Sequence, residues 1–160
     1  MKKNPTQACA CVMIVVGMLA SACAPAPQTD KTPAAGAQMP SSVIDPYLKI
    51  QAALADDSMD GVTQHAGEIA TASASLGAPA MKIDTAAVQL AATTEIERAR
   101  EKFGDLSEAI DGYMTGLKLH APEGVKVAVC PMVRKPWLQT ASTIDNPYFG
   151  KSMLTCGSFR

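Results

Sequence analysis

The chain has 160 residues, 48% of them hydrophobic but only 4% aromatic, and a formal net charge of −1. That length has room for one domain of ordinary size. An alanine-rich, aromatic-poor composition favours helices, because alanine loses no side-chain entropy in one, whereas strands draw on β-branched and aromatic residues. The lack of a basic excess argues against a surface that tracks nucleic-acid phosphates.

Residues 1–22 read as an export address rather than as part of a fold. Lys2 and Lys3 make a positive start, and an apolar run from Ala8 to Leu19 follows. The run is shorter than the about 20 residues a membrane-crossing helix needs. It ends in small residues, and Leu19-Ala20-Ser21-Ala22-Cys23 resembles the lipobox of bacterial lipoproteins. The resemblance implies cleavage before Cys23, acylation of its sulfur and an anchor in the cell envelope facing the periplasm. It departs from the family pattern at Ala20, where a large aliphatic residue is usual. An ordinary secretory signal is the alternative. Ala24 stands where an aspartate would favour the inner membrane in that family, so the outer membrane is the expected address. Cys9 and Cys11 would leave with the signal and Cys23 would carry lipid, so Cys130 and Cys156 remain as an isolated pair.

Residues 23–41 have the composition of a tether, with Pro25, Pro27, Pro33 and Pro40 among small and polar residues. A helical bundle is expected over 42–120. Asp45-Pro46 reads as a helix opening, and Ile44, Tyr47, Ile50 and Leu54 recur on one face. Asp57, with Asp60, reads as the cap of a second helix, which Gly77 and Pro79 end. A third helical stretch opens near Asp84 or Thr85. Its seam of Ile96, Ala99, Phe103, Leu106, Ile110, Tyr113 and Leu117 suits antiparallel packing. Gly104, followed by Asp105 and Glu108, leaves open whether residues 85–119 form one helix or two. Beyond His120, Pro122 and Gly124 stop the helix, and Val125, Val127 and Val129 alternate as in a short strand. The fold class expected is therefore mainly α, a small antiparallel bundle whose irregular tail, 121–160, packs on it.

The tail carries two sulfur pairs, Cys130-Pro131-Met132 and Met153-Leu154-Thr155-Cys156. Residues two apart in an extended chain, or three apart in a helical turn, share a face, so each pair can aim a thiolate and a thioether at one point. Such ligands select Cu(I) or Ag(I), and Trp137 would offer its π face to the cation. The competing reading is a Cys130–Cys156 disulfide closing a loop of about 25 residues, worth ~3 kcal/mol, with both methionines as core filler. His65 and His120 are auxiliary candidates whose ordinary role is a single hydrogen bond. The run Glu95, Glu97, Arg98, Arg100, Glu101, Lys102 reads as a solvated helix face. No phosphate loop, nucleophile elbow or spaced histidine–glutamate motif occurs, so the chain is not read as an enzyme.

The tail residues Cys130-Pro131-Met132, Trp137-Leu138-Gln139 and Ile144 through Gly157 resemble the signature of a bacterial domain family of unknown function, numbered 3347. Ala55-Asp56-Asp57, Ala66, Arg100, Phe103, Leu106 and Ser107 fit its helical part, so the likeness spans approximately residues 45–158. The stretch from Met132 to Trp137 is shorter than the family's glycine-containing insert. Members occur as stand-alone envelope lipoproteins and as added C-terminal domains on adaptor subunits of heavy-metal efflux pumps. The resemblance thus implies a metal-handling context, copper or silver, in which a heavy-metal efflux complex is the expected partner. Cys130, Met132, Met153 and Cys156 are the expected ligands, and no metal is needed for folding.

Overall fold

The computed structural model describes residues 32–160. The leader, Cys9, Cys11 and the lipid-attachment candidate Cys23 lie outside the described residues. Within them the chain forms α1 (Ser41–Ala55), α2 (Val62–Ala74), α3 (Met81–Ala91) and α4 (Ile96–Leu117), then β1 (Lys126–Cys130), β2 (Lys135–Gln139) and β3 (Ser158–Phe159). The mainly helical expectation holds. No helix among the described residues is long and apolar enough to cross a membrane.

Several boundaries differ from the sequence reading, each for a local reason. Helix α1 begins at Ser41, after Pro40, a turn before Asp45-Pro46, so Pro46 lies inside the helix and is buried. Its missing N–H would have met the carbonyl of Ser42, an exposed residue of the first turn, so the loss costs little there. Asp57 does not cap α2. It sits at φ 61 just past the end of α1, where its N–H bonds the Leu54 carbonyl and the Ser58 N–H bonds the Ala53 carbonyl. This is a Schellman ending with aspartate in the left-handed place usually given to glycine. Gly61, at φ 70, precedes α2 instead. Helix α3 opens at Met81, and its break from α4 falls at residues 92–95, where the Thr93 hydroxyl closes on the Leu90 carbonyl at 2.7 Å. Residues 85–119 are therefore two helices, but Gly104 is not the break. It lies mid-α4 because the Lys135 stem crosses it: a Cβ there would stand 2.6 Å from Lys135 Cδ. Asp105 and Glu108 hold that lysine's ammonium at 2.7 and 3.0 Å instead of capping a helix.

Short connections bring each helix back against the one before it, α1 on α2, α2 on α3 and α3 on α4. The expected seam of α4 faces the core, with Ala99, Phe103, Leu106, Ile110 and Tyr113 buried. The tail supplies a three-stranded antiparallel sheet of order β2-β1-β3. β2 lies against both α4 and α1, so the tail closes the bundle between its first and last helices. Strand alternation appears in β1 as expected, but its buried face is Ala128 and Cys130, with Val127 and Val129 half-buried on the other. The last residues of the tether stretch join the fold. Met39 is 2% exposed, Gln38 bridges His120, and the Thr32 hydroxyl reaches the Leu76 carbonyl at 2.6 Å.

Besides Lys135, polar contacts of Tyr47 and Arg100 fasten tail to bundle. The buried Tyr47 hydroxyl meets Ser107 Oγ at 2.7 Å and accepts the Leu138 N–H at 3.2 Å, while burial raises its pKa and keeps the proton on. Arg100 donates to Asp57 Oδ1 at 2.5 Å, to the Leu54 carbonyl at 3.1 Å and to the Pro147 carbonyl at 3.2 Å, joining α4, the end of α1 and the tail. Replacing Tyr47 by Phe leaves a buried Leu138 N–H without its acceptor, so urea unfolding should show a loss of about 1–3 kcal/mol. The Arg100 hydrogen bond holds the Asp57 carboxyl below its ordinary pKa of 3.8. Its stabilising effect is then complete above the ordinary aspartate range and is lost as pH falls through the lower folded value. Urea midpoints measured against pH should fall in that acid window, and Asp57→Asn should flatten the fall.

Candidate thiol site in the tail

Cys130 ends β1 on its buried face and is 0% exposed. Cys156 comes from the other end of the tail, in the turn before β3, where its N–H bonds the Met153 carbonyl at 3.0 Å. The central place of β1 in the sheet, with β3 paired to it at Ala128 and Val129, returns the chain so that the two cysteines meet. One nitrogen, Asn146 Nδ2, reaches both Cys130 Sγ at 3.4 Å and the Cys156 carbonyl at 2.6 Å, so the two residues are neighbours, and both thiols are free. Cys156 is half-buried, and burial together with the neighbouring Cys130 thiol pushes its pKa above the ordinary thiol range.

Asn146, fully buried, ties the pair together. Its Nδ2 donates to Cys130 Sγ at 3.4 Å and to the Cys156 carbonyl at 2.6 Å, and its Oδ1 accepts the Tyr148 N–H at 2.8 Å. Its backbone adds an N–H to the Leu154 carbonyl at 2.7 Å and accepts from Gly150 at 3.1 Å. The side chain therefore has both its donor and its acceptor engaged inside the tail, as burial of an amide requires. Gln139 plays the matching part for the loop before it. Its Oε1 accepts from Trp137 Nε1 at 2.8 Å and from the Asp145 N–H at 3.1 Å, while its Nε2 reaches the Thr143 carbonyl at 2.5 Å. Both amides lie in the tail stretches quoted above, Trp137-Leu138-Gln139 and Ile144 through Gly157, but neither was given a role there.

The other candidates are placed less closely. Met132 lies in the four-residue turn between β1 and β2, 63% exposed, because the chain turns at Pro131 and the alternation linking it to Cys130 stops. Met153 is 37% exposed, on the turn that leads to Cys156. Trp137 is buried, packed edge-on to Tyr148 with centroids 5.8 Å apart. Its far edge meets Gly157, where a Cβ would stand 2.6 Å from the ring. The indole thus abuts the residue next to Cys156, with its N–H already engaged. His120 is exposed and bonded through its backbone to Ala37 and Met39, beyond the far end of α4. His65 pairs with Glu68 at 2.9 Å on α2. Among the described residues no group of three or more His, Cys, Asp or Glu side chains converges as metal ligands do.

What the site offers chemically is two neighbouring thiols, one buried and one near the surface, held by a fully engaged amide. Asn146→Ala removes the donor to both cysteines and the acceptor for Tyr148. It should destabilise the chain by at least ~1–3 kcal/mol in denaturant titration and loosen the 146–157 segment in hydrogen exchange. No protein family model, curated protein or solved structure matches the chain, and the likeness to family 3347 rests on the residues quoted above.

Proposed function

We propose that this chain is a periplasm-facing envelope lipoprotein, anchored through Cys23 and more suited to the outer than the inner membrane. In this reading it takes a soft monovalent cation, Cu(I) or Ag(I), as cargo and serves metal homeostasis or efflux. The observation that carries the reading is that Cys130 and Cys156, both free, stand side by side on the shared Asn146 amide. Two thiolates suit soft monovalent ions, which accept low coordination by sulfur, and do not suit hard cations that need several oxygens. The resemblance of the tail to a family found beside heavy-metal efflux adaptors supports the same cargo and suggests an efflux complex as partner. Met132 and Met153 are accessory ligands in this reading, since both stand on exposed turns. Trp137 acts through packing, and His120 is too remote in the fold to join the pair.

A second reading is favoured by the same proximity. Oxidised, the pair is a staple that fixes the tail, and the bundle presents a surface to an envelope partner. Both readings place the chain in a compartment where paired thiols oxidise. Titration of the reduced chain with Ag(I), followed by native mass spectrometry, separates them. One ion per chain is expected, and Cys130→Ser with Cys156→Ser should weaken binding by more than the ~10–100-fold that loss of a ligand's outer partner costs. Tight binding that survives the double substitution would overturn the assigned site. A chain isolated already bridged, and resistant to mild reductant, would favour the staple.

A further inference from the structure

We propose that the Cys130–Cys156 pair performs thiol–disulfide exchange with low-molecular-weight disulfides in a fixed order, Cys156 attacking first and Cys130 resolving. The proposal rests on the pairing of these thiols in the reading above but on no metal. Exchange requires the attacking sulfur to approach a disulfide sulfur of the substrate directly, so access decides which thiol begins. Cys130 is fully buried, and Asn146 Nδ2 lies against its sulfur. Cys156 is half-buried among exposed neighbours, Met153, Thr155 and Ser158. The substrate therefore meets Cys156 before Cys130.

The chemistry closes without a further reactant. Cys156 gives its proton to solvent, and its sulfur attacks the substrate R–S–S–R, forming Cys156–S–S–R and expelling one R–S⁻. Cys130 then gives up its proton and attacks the Cys156 sulfur of the mixed disulfide. The S–S bond to R breaks, the second R–S⁻ leaves, and the Cys130–Cys156 bond forms. The protein dithiol is oxidised by two electrons and the substrate is reduced to two thiols. The second step is favoured because the pairing of β1 with β3 and the shared Asn146 Nδ2 hold the two cysteines side by side, and an intramolecular attack needs no encounter. The Asn146 N–H pointing at Cys130 Sγ supports the negative charge that sulfur carries as it attacks.

The test uses the full-length chain with Cys9, Cys11 and Cys23 replaced by serine, reduced, metal-free and mixed with excess 5,5′-dithiobis(2-nitrobenzoate) or glutathione disulfide. The parent chain should release two thiols, retain no adduct and end with a Cys130–Cys156 bond in peptide mapping. Cys130→Ser should release one thiol and hold a stable adduct on Cys156, and Cys130→Ala should do the same without a new hydroxyl in the buried place. Cys156→Ser should react at least ~100-fold more slowly than Cys130→Ser and recover its rate in urea, because Cys130 is reached only after local opening. Equal rates for the two single variants, a first adduct on Cys130, or a parent chain holding two adducts would overturn the order. Failure of Ag(I) binding leaves this result standing, and failure of the exchange order leaves metal binding by the reduced chain intact.

Discussion

The fold depends on one aromatic contact between its two halves. The chain has one tryptophan, three tyrosines and three phenylalanines, and Tyr47, Phe103, Trp137 and Tyr148 meet in one place. Phe103 of α4 stacks on Tyr47 of α1 at 4.9 Å, Tyr148 tilts over Phe103 at 6.1 Å, and Trp137 of β2 meets Tyr148 edge-on. In a core built mostly from alanine and aliphatic side chains, these rings supply the broad surfaces that bury the tail against the helices. The Tyr47 hydroxyl adds direction, since it meets Ser107 on α4 and the Leu138 N–H of β2. Without this contact β2 would lose the aromatic packing that holds it on the helices.

How much of this was legible depended on the range of the interaction. The helical period of α4 is local, and buried Ala99, Phe103, Leu106, Ile110 and Tyr113 can be read from spacing alone, whereas buried Gly104 and Ser107 cannot. Asp45-Pro46 and Asp57 misled because caps are also local signals, and here tertiary partners outweighed them. Pro46 was drawn into a helix that buries it, and Asp57 was placed by a Schellman turn and an arginine forty-three residues away. Gly104 looked like a break because nothing in its neighbourhood shows that Lys135, across the fold, needs its space. The strand at 126–130 was legible, while its buried face was not. Valines alternate there, yet Ala128 and Cys130 face the core, with Ala128 opposite the buried Trp137.

The thiols show the same division. Cys130 and Cys156 are the two cysteines of the described residues, and the sheet order brings them together. The sequence equated four sulfurs, whereas the fold ranks them: one buried thiol, one half-buried thiol and two exposed thioethers. That ranking follows from where the chain turns. Pro131 ends the strand before Met132, and the turn at 153–156 carries Met153 at the surface. In the proposed function, ion capture and oxidation would compete for the same two sulfurs, and the redox state of the pair would decide which is open to the chain.

The contact of Gln38 and Met39 with His120 bears on how an anchored chain would face its surroundings. The polypeptide enters the fold beside the C-terminal end of α4, near Lys118, whereas Cys130 pairs with Lys135, whose stem crosses Gly104. The axial run between these levels is about 20 Å of helix. A lipid carried by the N-terminal segment, as proposed, would join the domain at the pole away from the sulfur pair, leaving that pair uncovered by the segment's point of entry.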